Sequence, residues 1–208
     1  MEKSLNLFLA LLFLGCVTAS ARAENLSESE RTIQLGFSKV FKKEPQYVFY
    51  FLKHLDRWYL QLTLAHKKFI LLNAKELKVG TKIENEEESH GQHVRHLYTV
   101  TKFDQGAGVF QMESPVSRIV VWGIFRLQNK SDLTIRLKDN GDGTYFMTAD
   151  LRLIFASQAD KDKAVFFKVD QIWRKHMYEE MTKAVSIVES LSDIVYDNAS
   201  IVSMLTPR

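Results

Sequence analysis

The stretch DQIWRKHMYEEMTKAVSIVES, residues 170–190, decides how the chain is read. It contains neither Gly nor Pro, the two residues that most oppose a helix. At 100° per residue from Val169, the side chains of Val165, Val169, Trp173, Ile187 and Leu191 fall within about 40° of one line. That is one face of a long amphipathic helix. His176 lies at about 340° and Glu180 at about 20°, in the middle of the face, whereas Glu179 and Arg174 fall off it. An ionised carboxylate on an apolar face is costly unless it is paired, hydrogen-bonded or metal-bound. The His-x3-Glu pair is therefore either a buried ion pair or two ligands of one metal ion, and this helix alone leaves both open.

The elements before the helix follow from period and punctuation. TIQLGFSKVF (32–41) suits a first strand. Pro45 opens a region expected to be helical, as one helix or two, through QYVFYFLKHLDRWYLQLTLAHKKFILL (46–72). There Tyr59, Leu62, His66 and Ile70 share a face by i, i+3, i+7, i+11 spacing. From Gly80 the period becomes two. In KIENEEES (82–89), Ile83, Asn85 and Glu87 point one way, and Lys82, Glu84, Glu86 and Glu88 form a solvated face. Val94, His96, Tyr98 and Val100 share the next strand face. AGVFQME (107–113), IVVWGIFRL (119–127) and DLTIRLK (132–138) read as further strands. Asn140-Gly141-Asp142-Gly143 marks a hairpin turn. Tyr145, Met147, Ala149, Leu151, Leu153 and Phe155 form the apolar face of the last strand. The closing helix is expected over about 160–190.

A curved antiparallel sheet with one polar face needs a cover on its apolar face, and the long helix supplies it. The fold class is α+β. The element order resembles the helix-grip fold of the Bet v 1/START-like (SRPBCC) superfamily, which implies a sheet wrapped around the C-terminal helix and an internal cavity.

Bulk properties narrow the function. The chain has 208 residues, 46% hydrophobic and 25% charged, the length and composition of one globular domain. Met1–Ser4 is a short polar start, Leu5 to Val17 is apolar apart from Asn6, and Ala21-Arg22-Ala23 is an A-x-A cleavage site. Residues 1–23 read as a signal peptide, and the apolar run Leu5 to Val17 is too short for an ordinary transmembrane helix. The remaining domain, 24–208, is expected to be exported, periplasmic or secreted, with no transmembrane segment. LFLGC, ending at Cys16, also resembles a lipoprotein signal, with Phe13 where Leu is usual. The one cysteine excludes a disulfide framework. Cleavage after Ala23 leaves a nearly neutral chain with scattered basic residues, which argues against nucleic acid or an anionic membrane as partner. Asn25, Asn129 and Asn198 begin Asn-x-Ser sequons.

The chemistry centres on four residues. His66, Glu87, His176 and Glu180 come from three expected elements and could converge on one point at a cavity wall. Imidazole and carboxylate donors suit Zn²⁺, and Fe, Mn, Co and Ni take the same donors. His90, His93 and His96 do not form a three-His site, because His93 and His96 lie on opposite strand faces.

WYLQLTLAHKKF (58–69), GTKIENEEESHG (80–91) and HMYEEMTKAV (176–185), in that order, are similar to segments of the metal-dependent diacetylphloroglucinol/phloretin hydrolase family. Those enzymes cut a carbon–carbon bond beside an aryl ketone. The resemblance implies metal ligands at His66, Glu87, His176 and Glu180, with Glu86 in place of Glu87 if a bulge follows Gly80. It also implies an active-site tyrosine that maps to Tyr59. Tyr98, if inward, is a second donor to substrate oxygens. This chain differs from the family in its shorter length, its tighter gap after His66 and its signal peptide. Two functions are expected. One is an exported zinc-dependent hydrolase of a small aromatic or polyketide-like ketone. The alternative is a metal-free START-like carrier of a lipid or other hydrophobic ligand, suggested by the apolar cavity and the export signal.

Overall fold

The structure, a computed structural model, describes residues 27–191. The expected signal peptide, Cys16 and the sequons at Asn25 and Asn198 lie outside them. Strand β1 (Thr32–Phe41) is followed by helices α1 (Pro45–Lys53) and α2 (Leu55–Leu62). Six strands come next: β2 (His66–Leu71), β3 (Lys82–Ser89), β4 (Gln92–Asp104), β5 (Val109–Val121), β6 (Phe125–Asp139) and β7 (Tyr145–Phe155). Helices α3 (Gln158–Phe166) and α4 (Val169–Ser190) close the chain. The seven strands make one antiparallel sheet in the order β1-β7-β6-β5-β4-β3-β2. No helix among the described residues is long and apolar enough to cross a membrane.

Alternation sets the inner face of the sheet. Ile83, Asn85 and Glu87 on β3, and Val94, His96, Tyr98 and Val100 on β4, are all buried. Helix α4 lies across that face, packed against β1, β3 and α2, and buries Trp173, His176, Met177, Met181, Ala184, Val185 and Val188. At about 25 cal/mol per Å² of apolar surface, each large side chain on this face contributes roughly 1.5–3 kcal/mol.

Four expectations are corrected. The helical region ends at Leu62, and His66 and Ile70 lie on β2 instead. A β-bulge between His66 and Lys68 adds one residue, so that both His66 and Phe69 are buried. That three-residue spacing imitates a helical face. Second, the closing helix is two helices. Lys168 is left-handed at φ 57°, which resets the phase and leaves Val165 50% exposed. Ser157 caps the shorter helix, its Oγ accepting from Asp160 N at 3.1 Å. Third, IVVWGIFRL is no single strand: Trp122 (φ 52°) and Gly123 (φ 73°) turn β5 into β6. Fourth, the acidic face of β3 is not simply solvated. Glu84 is 8% exposed, held by Lys68 Nζ at 2.9 Å and by Arg95. The sequon residue Asn129 is buried in β6.

Candidate metal centre

Three elements far apart in sequence meet at the inner wall. The β2 bulge turns the His66 ring inward, and the β2–β3 register places His66 opposite Glu87. Helix α4 presents His176 from the other side. One ligand atom of each of His66, Glu87 and His176 lies within 4.8 Å of the other two, and all three residues are buried. His176 Nε2 is 3.1 Å from Glu87 Oε2. Glu180 Oε2 is 3.8 Å from His66 Nε2 and 4.0 Å from His176 Nε2, with 22% of its side chain exposed.

The orientation of these groups is fixed by neighbours. His66 Nδ1 meets the backbone carbonyl of Tyr59 at 2.5 Å. A carbonyl only accepts, so Nδ1 carries the proton and Nε2 is left as a lone pair. The His66 ring stacks on Tyr59 with centroids 3.8 Å apart, and Trp173 packs edge-on against His176. The Tyr59 hydroxyl donates to Glu87 Oε1. Asn85 Nδ2 donates to Tyr59 Oη at 2.5 Å and to Glu87 Oε1 at 2.9 Å. His66 Nε2 and His176 Nε2 are both buried without a hydrogen bond; the Glu87 oxygen near His176 is off the line of an N–H···O bond.

Orphaned imidazole nitrogens are rare in folded proteins. Two of them facing a buried carboxylate, with one imidazole braced by a carbonyl and the carboxylate by a hydroxyl and an amide, match the inner and outer shells of a metal site. Imidazole and carboxylate donors are of the kind that suits Zn²⁺, and Glu180 lies within 4.0 Å of both imidazole nitrogens.

The electrostatics are consistent with ionised Glu87. Burial alone would raise its carboxyl, but the imidazoles around it, His176 in contact above all, outweigh that and hold it well below the usual range. Burial works against a charged His176, yet Glu87 and Glu180 raise it on balance. Glu180 is raised, first by burial. Tyr59 and Tyr98 are both raised, chiefly by burial, and stay neutral.

Glu86 stands on the opposite face of β3, 3.5 Å from Arg95 Nε and 3.6 Å from His93 Nε2. It does not join the cluster. Tyr98 faces inward. The structure adds Asn85 and His96 as functional candidates; period two puts Asn85 on the Glu87 face and His96 on the Tyr98 face, and what each contacts there has no sign in the sequence.

Glu87, His176 and Glu180 line a cavity of about 100 Å³. One water needs about 10–15 Å³ of such space. Asn85, His96, Tyr59 and Tyr98 add polar atoms, and the remaining wall is apolar, with Leu52, Phe110, Met147 and Val185 among its side chains.

No protein-family profile matches the chain, and no curated protein matches it. Solved structures do match. The protein TTHA0849 from Thermus thermophilus superposes on 75% of this chain and 97% of its own, with TM-score 0.57 and 12% identity. Ara h 8.0201 covers 77% of this chain and 99% of its own, with TM-score 0.52 and 13% identity. Ginseng major latex-like protein 151 from Panax ginseng covers 77% and 97%, with TM-score 0.52 and 10% identity. The fold is the Bet v 1-like helix-grip fold. At such identities the likeness carries the fold and none of the chemistry. In helix-grip terms, α4 is the gripped helix, and the cavity lies between it and the sheet, with His176 and Glu180 on its wall.

Proposed function

We propose that this chain is an exported, zinc-dependent hydrolase acting on a small aromatic or polyketide-like ketone held in the helix-grip cavity. The supporting observation is the pair of buried, hydrogen-bond-free Nε2 atoms of His66 and His176 beside an ionised Glu87 at the wall of a mostly apolar cavity.

His66, Glu87, His176 and Glu180 would hold the ion. When bound, it supplies Lewis acidity toward a carbonyl oxygen and toward water. The chain supplies the rest. Tyr59 and Asn85 aim Glu87, and the Tyr59 carbonyl aims His66. The Tyr59 hydroxyl proton is therefore committed to Glu87, and the role of donor to a substrate oxygen passes to Tyr98. The apolar wall excludes bulk water, which strengthens each electrostatic contact with the reacting ketone. Water adds to the acyl carbon, the bond to the ring carbon breaks, and the ring carbon takes up a proton, giving a carboxylic acid and a deacylated ring.

A second reading is favoured by the apolar lining and the 3.1 Å approach of His176 to Glu87. In it the pair is a buried ion pair, and the protein is a metal-free carrier of a hydrophobic ligand.

Elemental analysis of purified residues 24–208 without a polyhistidine tag, beside His176→Ala, separates the two. The expected result is about one zinc per chain, lost in the variant, and carboxylic acid release from an acylphloroglucinol by the metal-bearing protein. No metal in the unmodified chain overturns the hydrolase reading and turns the search to ligand extracted with the protein.

A further inference from the structure

Beside the His66–Glu87–His176 cluster lies a second buried polar group, of which the proposed hydrolysis uses only Tyr98. His96, Ser117, Ser131 and Tyr98 are each at most 5% exposed. His96 Nδ1 is 2.7 Å from Ser117 Oγ and 3.0 Å from Ser131 Oγ, and the two serine oxygens are 3.0 Å apart. Ser131 Oγ donates to Tyr98 Oη at 3.1 Å. The β5–β6 bulge between Ser114 and Ser117 brings Ser117 against β4 opposite His96.

The protons of this group can be assigned by counting. A hydroxyl has one proton. That of Ser131 goes to Tyr98, so Ser131 must accept in its other two contacts. Ser117 therefore donates to Ser131. The contact between Ser131 and His96 then needs a proton on Nδ1, which the two serine oxygens share. Burial pushes His96 down to about 4, so its ring is neutral and Nε2 is a bare acceptor. Tyr98 receives from Ser131 and keeps its own proton. Two groups are left unspent, the Tyr98 O–H donor and the His96 Nε2 acceptor. They belong to rings stacked at 4.8 Å that both line the cavity.

We infer that His96 and Tyr98 form a hydroxyl-reading subsite, a donor and an acceptor side by side that recognise a ligand group able to accept one hydrogen bond and donate another. A hydroxyl satisfies both. An ether or a ketone leaves Nε2 unpaired, and a carboxylate sets negative charge against that lone pair. Asn85 pairs with His96 across the β3–β4 ladder, and Glu87 pairs with Val94. The subsite is thus a diagonal step of about 7–8 Å from Glu87. Ser117 and Ser131 are positioning residues, which fix the tautomer. The recognition itself does not depend on bound metal; only the hydroxyl's relation to the reacting group, a step of about 7–8 Å, rests on the hydrolase reading.

The test is isothermal titration of the purified protein, as isolated and after chelator treatment, with 4-ethylphenol and with its methyl ether. The expected result is binding of the phenol at least about 10-fold tighter than the ether in both samples. In Tyr98→Phe and His96→Phe that ratio should shrink to within about 3-fold while the ether still binds. Ser131→Ala should shrink it too, by freeing the imidazole tautomer, which a purely structural role would not do. Equal affinity for phenol and ether in the unmodified protein overturns the subsite without needing any variant, as does an undiminished ratio in the variants. Metal content of the same samples keeps the two readings apart, since discrimination without metal sinks only the hydrolase, and metal without discrimination sinks only the subsite.

Discussion

At the residue scale, Tyr59 and His96 make separable contributions. Tyr59→Phe removes the hydroxyl that donates to Glu87 and leaves Asn85 Nδ2 with Glu87 Oε1 as its remaining acceptor. Supporting hydrogen bonds of this kind are worth about 10–100-fold in metal affinity. Competition with a zinc-binding dye should show a loss in that range with the circular dichroism unchanged; an unchanged affinity would remove Tyr59 from the site. His96 gives a pH signature. Unfolded, it titrates near 6.5; folded, near 4. Between those values the unfolded chain binds more protons, so stability rises with pH across the window and is lost as pH falls from about 6.5 to about 4. The full effect is of order 3 kcal/mol. His176 acts in the opposite sense, because its raised value favours the folded state at lower pH and that contribution is lost as pH rises through it. The measurement is therefore a difference: urea unfolding in chelator from pH 4 to 7, for the unmodified chain and for His96→Gln. The variant should lack the acid-side decline attributable to His96, and identical curves would contradict it. Much of this site was legible in the residues. His176 and Glu180 stood out because charge on an apolar stripe is anomalous, and Glu87 followed from period two. The Asn85, Ser117 and Ser131 contacts could not be read, because a neutral polar residue on a strand gives no sign of what faces it across the sheet.

At the element scale, the strands were legible and the joints were not. Alternation over β3, β4 and β7 shows directly in the residues because each has one face buried by α4. The β2 bulge hid its strand, since one extra residue makes two inward side chains fall three apart, as on a helix. The α3–α4 break was hidden for a related reason: Phe167 and Lys168 are ordinary helix residues, and only tertiary packing puts Lys168 in the left-handed region. Turn glycines divide in the same way, by what lies opposite them. Gly108, at the β4–β5 turn, has φ 64°, and a Cβ there would lie 2.6 Å from the Leu137 carbonyl oxygen on β6. Gly143, before β7, has φ 80° with nothing within 4 Å of its Cβ position. Gly143→Ala should cost about 1 kcal/mol, the left-handed strain alone. Gly108→Ala adds a backbone clash and should cost roughly 2 kcal/mol or more. Chemical denaturation of the two variants checks this, and equal losses would mean that the turn absorbs the clash by moving.

At the scale of the whole molecule, the cluster ties strands β2 and β3 to α4, parts of the chain far apart in sequence. His66 comes from the edge strand β2, Glu87 from β3, and His176 and Glu180 from the gripped helix. An ion bound to that set would be absent from the unfolded chain, where the ligands are dispersed, so binding should stabilise the fold as a unit. At free zinc 100 times the dissociation constant the gain is about 2.7 kcal/mol. For a domain of this size each kcal/mol moves the melting temperature by about 2–4 °C, so the shift should be about 5–10 °C. Scanning calorimetry of chelator-treated protein, before and after zinc, reads it directly. Zinc can also attach to surface groups such as His93 and Glu86, which lie 3.6 Å apart on the outer face, but a site that half-exposed gives little preference for the folded state. His176→Ala discriminates between the two, because it removes an inner ligand and leaves the outer pair untouched. A shift that disappears in this variant assigns the stabilisation to the joint between α4 and the β2–β3 edge. A shift that survives assigns it to the surface. No shift in the unmodified chain, with stabilisation by a hydrophobic ligand instead, would mean that the sheet grips its helix without an ion, through apolar contacts and direct polar ones such as His176–Glu87 and Trp173–Gln92, as the carrier reading requires.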